Sequence, residues 1–224
     1  IEKGKIVNDL CKKVKSIVAY FKHSVSAADQ LRAHTDLKLI QSVETRWNST
    51  YNMLYRFIEL SDKISLILLK CPTAPAMLIA SELQTAKEFI SLLQPFEEAT
   101  KLVCGESYVT ASKVIPIVNT LKCKLEECEP TTDSGGHMKK MLLEEFSKRF
   151  SNIEQVSLLA IATILDPRFK NINFVDKIAC AHAQNKVTRI INEITMSNLK
   201  NSDASTTIVL ETCLELYENY FIIS

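Results

Sequence analysis

Between Lys3 and Ser24 the apolar residues Ile6, Leu10, Val14, Ile17 and Phe21 recur every three or four positions, which aligns them on one face of a helix. At about 100° per residue, Lys5, Lys12, Lys15 and Lys22 fall on the opposite face. That basic back is either a solvated surface or a contact for phosphate groups. Ser26 offers a cap for a short second helix to His34. Apolar Leu37, Leu39 and Val43 then alternate with period two, broken only by Gln41, and predict one strand over Leu37–Thr45.

Helical spacing resumes at Trp47, Tyr51, Leu54 and Ile58 and predicts a long helix ending near Cys71-Pro72. After a turn over Pro72–Pro75, Leu83, Ala86, Phe89, Ile90 and Leu93 predict a helix from Ser81 to Gly105, kinked by Pro95. Thr110 or Ser112 opens the next, running through Ile115, Val118, Leu121 and Leu125 to about Cys128. The Glu129–Gly136 stretch, with proline, two threonines and two glycines, reads as a linker. Helices are expected at 137–151, 153–165, 173–196 and, more weakly, 207–222, with Asn198–Ser205 as a polar loop. No repeat of solenoid period is present. The fold class predicted is mainly α.

Composition agrees with helix and changes the picture in two ways. Only 4 glycines and 6 prolines occur among 224 residues, and 46% of the chain is hydrophobic, enough to bury a sizeable core. The net charge of +1 is uneven: residues 1–70 carry 12 Lys+Arg against 7 Asp+Glu, whereas 201–224 carry none against 4. A polyanion is therefore expected to prefer the N-terminal third. Seven cysteines, an odd number and mostly among apolar residues, fit a reducing compartment, cytosol or nucleus. The longest apolar run, Leu158–Leu165, falls well short of the roughly 18 residues a membrane span needs. The chain opens on Ile1 without a leader, so no targeting signal is read and the sequence is expected to continue upstream.

Catalytic and metal chemistry find little support in these residues. Cys123 and Cys128 with His137 are the nearest approach to a metal site, but a spacing of five leaves the i, i+4 face and no fourth ligand follows. His23, His34, His137 and His182 lack the context of a nucleophile-activating base and read as surface residues. Gly135-Gly136 lacks the strand and the Lys-Ser/Thr of a phosphate loop.

Three stretches are more distinctive. Glu44-Thr45-Arg46-Trp47-Asn48-Ser49-Thr50-Tyr51 resembles the "TRWNSTY" segment of BED-zinc-finger hAT transposases and their domesticated relatives. Leu93-Gln94-Pro95-Phe96-Glu97-Glu98-Ala99-Thr100 is similar to that family's "PFEEAT" helix, and Ile164-Leu165-Asp166-Pro167-Arg168-Phe169-Lys170 to its "LDPRFK" element. Order and spacing also agree, and the resemblance covers roughly residues 5–195.

The resemblance implies an RNase H-like catalytic core interrupted by an all-helical insertion, with a BED zinc finger before it and a dimerisation region after it. On that reading residues 1–45 are a partial RNase H-like core, 46–197 the insertion domain and 198–224 a divergent or truncated tail. No position here matches the family's metal-binding acids, so no catalytic residue and no metal ligand are carried over. Zinc and magnesium, as cofactors, are expected only in regions outside this chain, as is any homo-oligomer contact. Trp47 is the residue the motif transfers, because the tryptophan of this segment is linked in active relatives to a flipped base. Base stacking on an indole competes with burial in the Tyr51, Leu54 and Ile58 stripe, whose continuity points to burial. Arg46 can pair with a phosphate or with Glu44. Asp166-Pro167-Arg168 is expected to end one helix and brace the next.

The function expected is DNA association in the nucleus by a catalytically incomplete part of a transposase or a transposase-derived regulator. The candidate nucleic-acid contacts are Trp47, Arg46, Lys5, Lys12, Lys15 and Lys22. Rival readings are a helical protein-interaction scaffold and a decayed transposon product.

Overall fold

The opening stripe forms its helix as the spacing requires. In the computed structural model, which describes residues 3–43, 47–104 and 111–199 (side chains from residue 7 to 197), α1 spans Lys3–His23 and buries Leu10, Val14, Ile17 and Phe21. Next come α2 (Val25–His34), α3 (Trp47–Glu59), α4 (Ser61–Leu68), α5 (Ala80–Cys104), α6 (Val114–Glu127), α7 (Asp133–Phe150), α8 (Ser157–Leu165) and α9 (Lys177–Leu199). Short 3₁₀ turns occupy Ala111–Lys113 and Ile153–Gln155. The protein is mainly helical, and no strand occurs among the described residues. The expected helix at 207–222 and loop at 198–205 lie largely or wholly outside them.

The predicted strand over Leu37–Thr45 is the main correction. Residues 37–43 have no regular structure, and 44–45 are outside the described residues. A strand needs a partner to satisfy its backbone; here side chains do that instead. The Ser49 hydroxyl accepts from Val43 N at 2.7 Å and donates to Val43 O at 2.8 Å, and Arg56 Nη1 donates to Lys38 O at 3.1 Å. The alternation does not mark a buried face either, since Leu37 and Val43 are exposed while Leu39 packs on the core. The RNase H-like α/β remnant is thus not shown among the described residues.

Other boundaries shift for local reasons. Ser24, not Ser26, caps α2, its hydroxyl accepting from Ala27 N at 3.3 Å. The long helix expected from Trp47 breaks at Leu60 (φ −103°, ψ 5°), whose side chain is wholly buried. A 3₁₀ turn precedes α6 instead of an α-helix starting at Ser112, and Thr110 is outside the described residues. The linker shrinks because α7 starts at Asp133 and includes both glycines. Gly135 is required there by close approach: a Cβ would sit 2.1 Å from Glu88 Oε2 and 2.8 Å from Pro130 Cβ. Glu88 cannot yield cheaply, because Thr131 N and both threonine hydroxyls of Thr131-Thr132 donate to its carboxylate.

Within α5 the helix runs on through buried Pro95. Proline has no N–H for the carbonyl four residues back, and Cys128 Sγ lies 3.7 Å from that Ser91 oxygen, as well as 3.3 Å from Lys124 O.

Two compact units emerge, the first drawn from Ile1–Gly105 and Leu121–Phe146, the second from Glu106–Thr120 and Ser147–Ser224. In the first, α1 packs on α2 and α3, α2 on α4, and α3 on α5, around a core that draws on both sides of residue 45. In the second, α8 packs on α9 and on the Ala111–Lys113 turn around Ile115, Ala160, Ile164, Ala183 and Val187.

Candidate nucleic-acid interface

Trp47 is the first residue of α3, immediately after the Val43–Ser49 clasp has turned the chain into the helix. Its stripe partners Tyr51 and Leu54 are buried, but Trp47 itself is 45% exposed, against the burial that the continuous stripe suggested. The reason is its place at the helix end: one turn before Tyr51, fewer neighbours cover it. Its indole lines an open, almost wholly apolar groove of about 300 Å³ with Phe96, Ala99, Thr100, Val103 and Leu121. The groove thus brings together the first two distinctive sequence stretches, Trp47 from one and Phe96-Ala99-Thr100 from the other.

Polar residues around those stretches hold the backbone in place. The Thr100 hydroxyl donates to Phe96 O at 2.7 Å, and Gln94 Nε2 donates to Glu98 at 2.9 Å. Lys124 also donates to Glu98, and that bond is the chief reason its carboxyl sits below the usual range. Asn48 Oδ1, beside Trp47, is buried without a hydrogen-bond partner among the described residues.

The basic face of α1 is only partly available. Lys12 is exposed and lies 3.9 Å from Asp9, Lys22 donates to Gln41 Oε1 at 3.1 Å, and Lys15 is half-buried. The side chain of Lys5 and the whole of Arg46 lie outside what the structure describes. Sequence periodicity missed Arg32 and Lys38, which stand beside Lys22 around a second hollow. They belong to α2 and to the segment after it, so no single-helix wheel could group them with Lys22.

The third stretch lies in the second unit and is a structural clamp. Asp166 ends α8, accepts from Ser112 Oγ at 2.7 Å, and takes Arg168 Nε and Nη2 at 2.9 and 2.7 Å. The Arg168 bonds above all hold this carboxyl well below the usual range. Asp166 is thus braced by its own arginine and by the 3₁₀ turn. Arg168 also stacks on Phe169, 5.1 Å from the ring centre, and Lys170 closes the turn at φ 49°.

Of the histidines read as surface residues, His23, His34 and His182 are exposed, whereas His137 is half-buried with Nε2 unpartnered. Burial pushes the Cys11, Cys128 and Cys180 thiols up, away from nucleophilic thiolate character. Among the described residues no three His, Cys, Asp or Glu side chains gather in the manner of a metal site. No helix among them is long and apolar enough to cross a membrane.

Comparison with known proteins bears on the first unit most directly. Residues 3–94 match the family model of the ZBED1 RNase-like helical domain. Zinc finger BED domain-containing protein 4 of Homo sapiens is 28% identical over 167 residues, covering 75% of this chain. The chain spans about 14% of that relative's length. No solved structure matches the chain.

Proposed function

We propose that this chain, similar to the ZBED1 RNase-like helical domain and to zinc finger BED domain-containing protein 4, is a BED-type, hAT transposase-derived protein that associates with DNA, with Trp47 as its base-stacking residue. The observation that carries this is the half-exposed indole at the start of α3, beside an apolar groove. A single exposed apolar residue is ordinary, but here the open indole continues into an apolar groove, and a contiguous apolar surface of that kind marks a binding site. An unstacked base has the flat apolar shape to cover it, and such stacking contributes about 1–3 kcal/mol per base.

On this reading residues 1–45 adjoin an RNase H-like core whose strands lie elsewhere in a longer protein, 46–197 form the helical insertion, and 198–224 are a divergent tail. The chain is catalytically incomplete: two-metal strand transfer needs converging carboxylates, for which its sequence has no matching positions. Zinc and magnesium act in other regions of the longer protein, homo-oligomer contacts lie beyond this chain, and the protein works in the nucleus. Arg46 and the exposed lysines of α1 supply phosphate contacts. Magnesium-dependent nicking of a labelled duplex by the purified chain, lost on mutating its own acids, would contradict this account of catalysis.

Binding of a fluorescent single-stranded or hairpin oligonucleotide tests the reading. Trp47→Ala weakens it by about 1–3 kcal/mol, while costing less than the ~3–5 kcal/mol of stability that removing a buried Trp would. Unchanged DNA affinity in a folded Trp47→Ala protein defeats the assignment.

A further inference from the structure

A second hollow in the first unit has a different chemistry from the Trp47 groove. It opens between the C-terminal turns of α1, the middle of α2 and the segment 37–41, with a volume of about 350 Å³. That lies within the range of small-ligand pockets, about 300–1,000 Å³. Its floor is formed by Val18, Phe21, Leu31 and Leu39. The first three are core residues held by the packing of α1 on α2.

Around that floor stand three cations, Lys22, Arg32 and Lys38, and none of the lining residues is acidic. Each comes from a different element, so their gathering is a product of the fold and not of a charge run. Arg32 is shared with Asp29, a neighbour on α2 outside the lining. Lys22 Nζ donates to the carbonyl oxygen of Gln41 at 3.1 Å, which orients the Gln41 amide NH₂ as a donor at the rim. Apolar floor, cationic rim and one amide donor suit a ligand with a flat apolar part and a phosphate.

We propose that this hollow binds one nucleotide of a single DNA strand, its base against Val18, Phe21, Leu31 and Leu39 and its phosphate among Lys22, Arg32 and Lys38. The inference rests on the DNA-association reading above and adds a contact separate from Trp47. Charge complementarity selects the occupant: residues 1–70 carry 12 Lys+Arg against 7 Asp+Glu, and a polyanion is drawn to that excess.

The test uses the 224-residue chain and a fluorescein-labelled oligo(dT) of about ten nucleotides, with a strand of abasic sites as its partner probe. Replacing the cations together (Lys22→Gln, Arg32→Gln, Lys38→Gln) weakens oligo(dT) binding about tenfold or more at low salt. It also lowers the slope of log affinity against log salt by about 0.7, the value for one lost phosphate contact on a single strand. Ala28→Phe, which fills the hollow without touching a charge, weakens oligo(dT) but leaves the abasic strand unaffected, and free thymidine monophosphate competes for the site. If both variants bind oligo(dT) like the parent while Trp47→Ala weakens it, the hollow is not the site and DNA association stands. If the parent chain does not bind oligo(dT), that broader reading fails and this inference with it. A poly-glutamate peptide competing as well as thymidine monophosphate overturns the nucleotide assignment, since charge alone would then be read.

Discussion

Among the described residues, a single cluster of seventeen buried hydrophobic residues in the first unit, Phe57 and Phe89 among them, holds α1 to α5 together, whereas the corresponding cluster of the second unit has six, two of them alanines. The second unit leans on polar side chains. Buried Glu154 accepts from Asn119 Nδ2 at 2.7 Å, Val175 N at 3.0 Å and Asp176 N at 2.7 Å, joining the 3₁₀ turn to α6 and to the approach of α9. Fully buried Thr163 donates to Leu159 O at 2.8 Å and reaches Ser112 O at 3.2 Å. Asp166 then ties Ser112 to the end of α8. A small apolar core can be adequate where directed bonds replace missing area, but each such bond becomes expensive to lose.

Three substitutions sharpen this contrast. Phe57→Ala in the first unit leaves a cavity at a fully buried site and lowers stability by about 3–5 kcal/mol, read from the urea midpoint by circular dichroism. A loss below about 1 kcal/mol would mean that this core is not close-packed. Glu154→Ala in the second unit strands two backbone N–H groups and removes one of the two bonds of the Asn119 amide, which keeps Asn173 O, at a cost of about 2–4 kcal/mol. Near-neutral behaviour there would show that directed bonds do not carry the smaller unit.

The third substitution concerns the polar clamp of the first unit. Burial alone pushes the Glu88 carboxyl up, but the hydrogen bonds from Thr132 and Thr131 outweigh it and hold the group at about 2 against an ordinary 4.5. A depressed folded-state value gives stability that is complete above the ordinary value and lost as pH falls from there toward about 2. Glu88→Gln is therefore expected to flatten the dependence of unfolding midpoint on pH between about 5 and 2. An unchanged slope would place the acid sensitivity elsewhere.

This division also explains what could be read in the sequence. The stripes of α1, α3 and α5 were legible because each helix buries its own periodic face. The Glu154 clamp of the second unit was not, since Glu154, Asn119 and Asp176 are separated by tens of residues and each is ordinary alone. Leu37–Val43 shows the opposite error: alternation suggested a strand where a connecting segment merely happens to alternate. For the site, the motif stretches led to Trp47 and Phe96. Counting along the stripe misjudged the exposure of Trp47, because a helix end has fewer neighbours than its middle. Lys22 was found on its wheel; Arg32 and Lys38 required the fold.

The side-chain fastening of residues 37–43 has a kinetic consequence. With no ladder of backbone pairs, the segment is held by Ser49 at one end, Arg56 near the other, the Lys22 bond to Gln41 and Leu39 packed on the core. Breaking those few contacts frees it without melting any helix, so its opening belongs to the low end of the free-energy scale of local unfolding. Leu37, Lys38, Leu39 and Gln41 are also one wall of the 350 Å³ hollow. On the nucleotide-binding proposal, loosening of this segment, read by amide exchange at Val43, is expected to shorten an occupant's residence in the hollow.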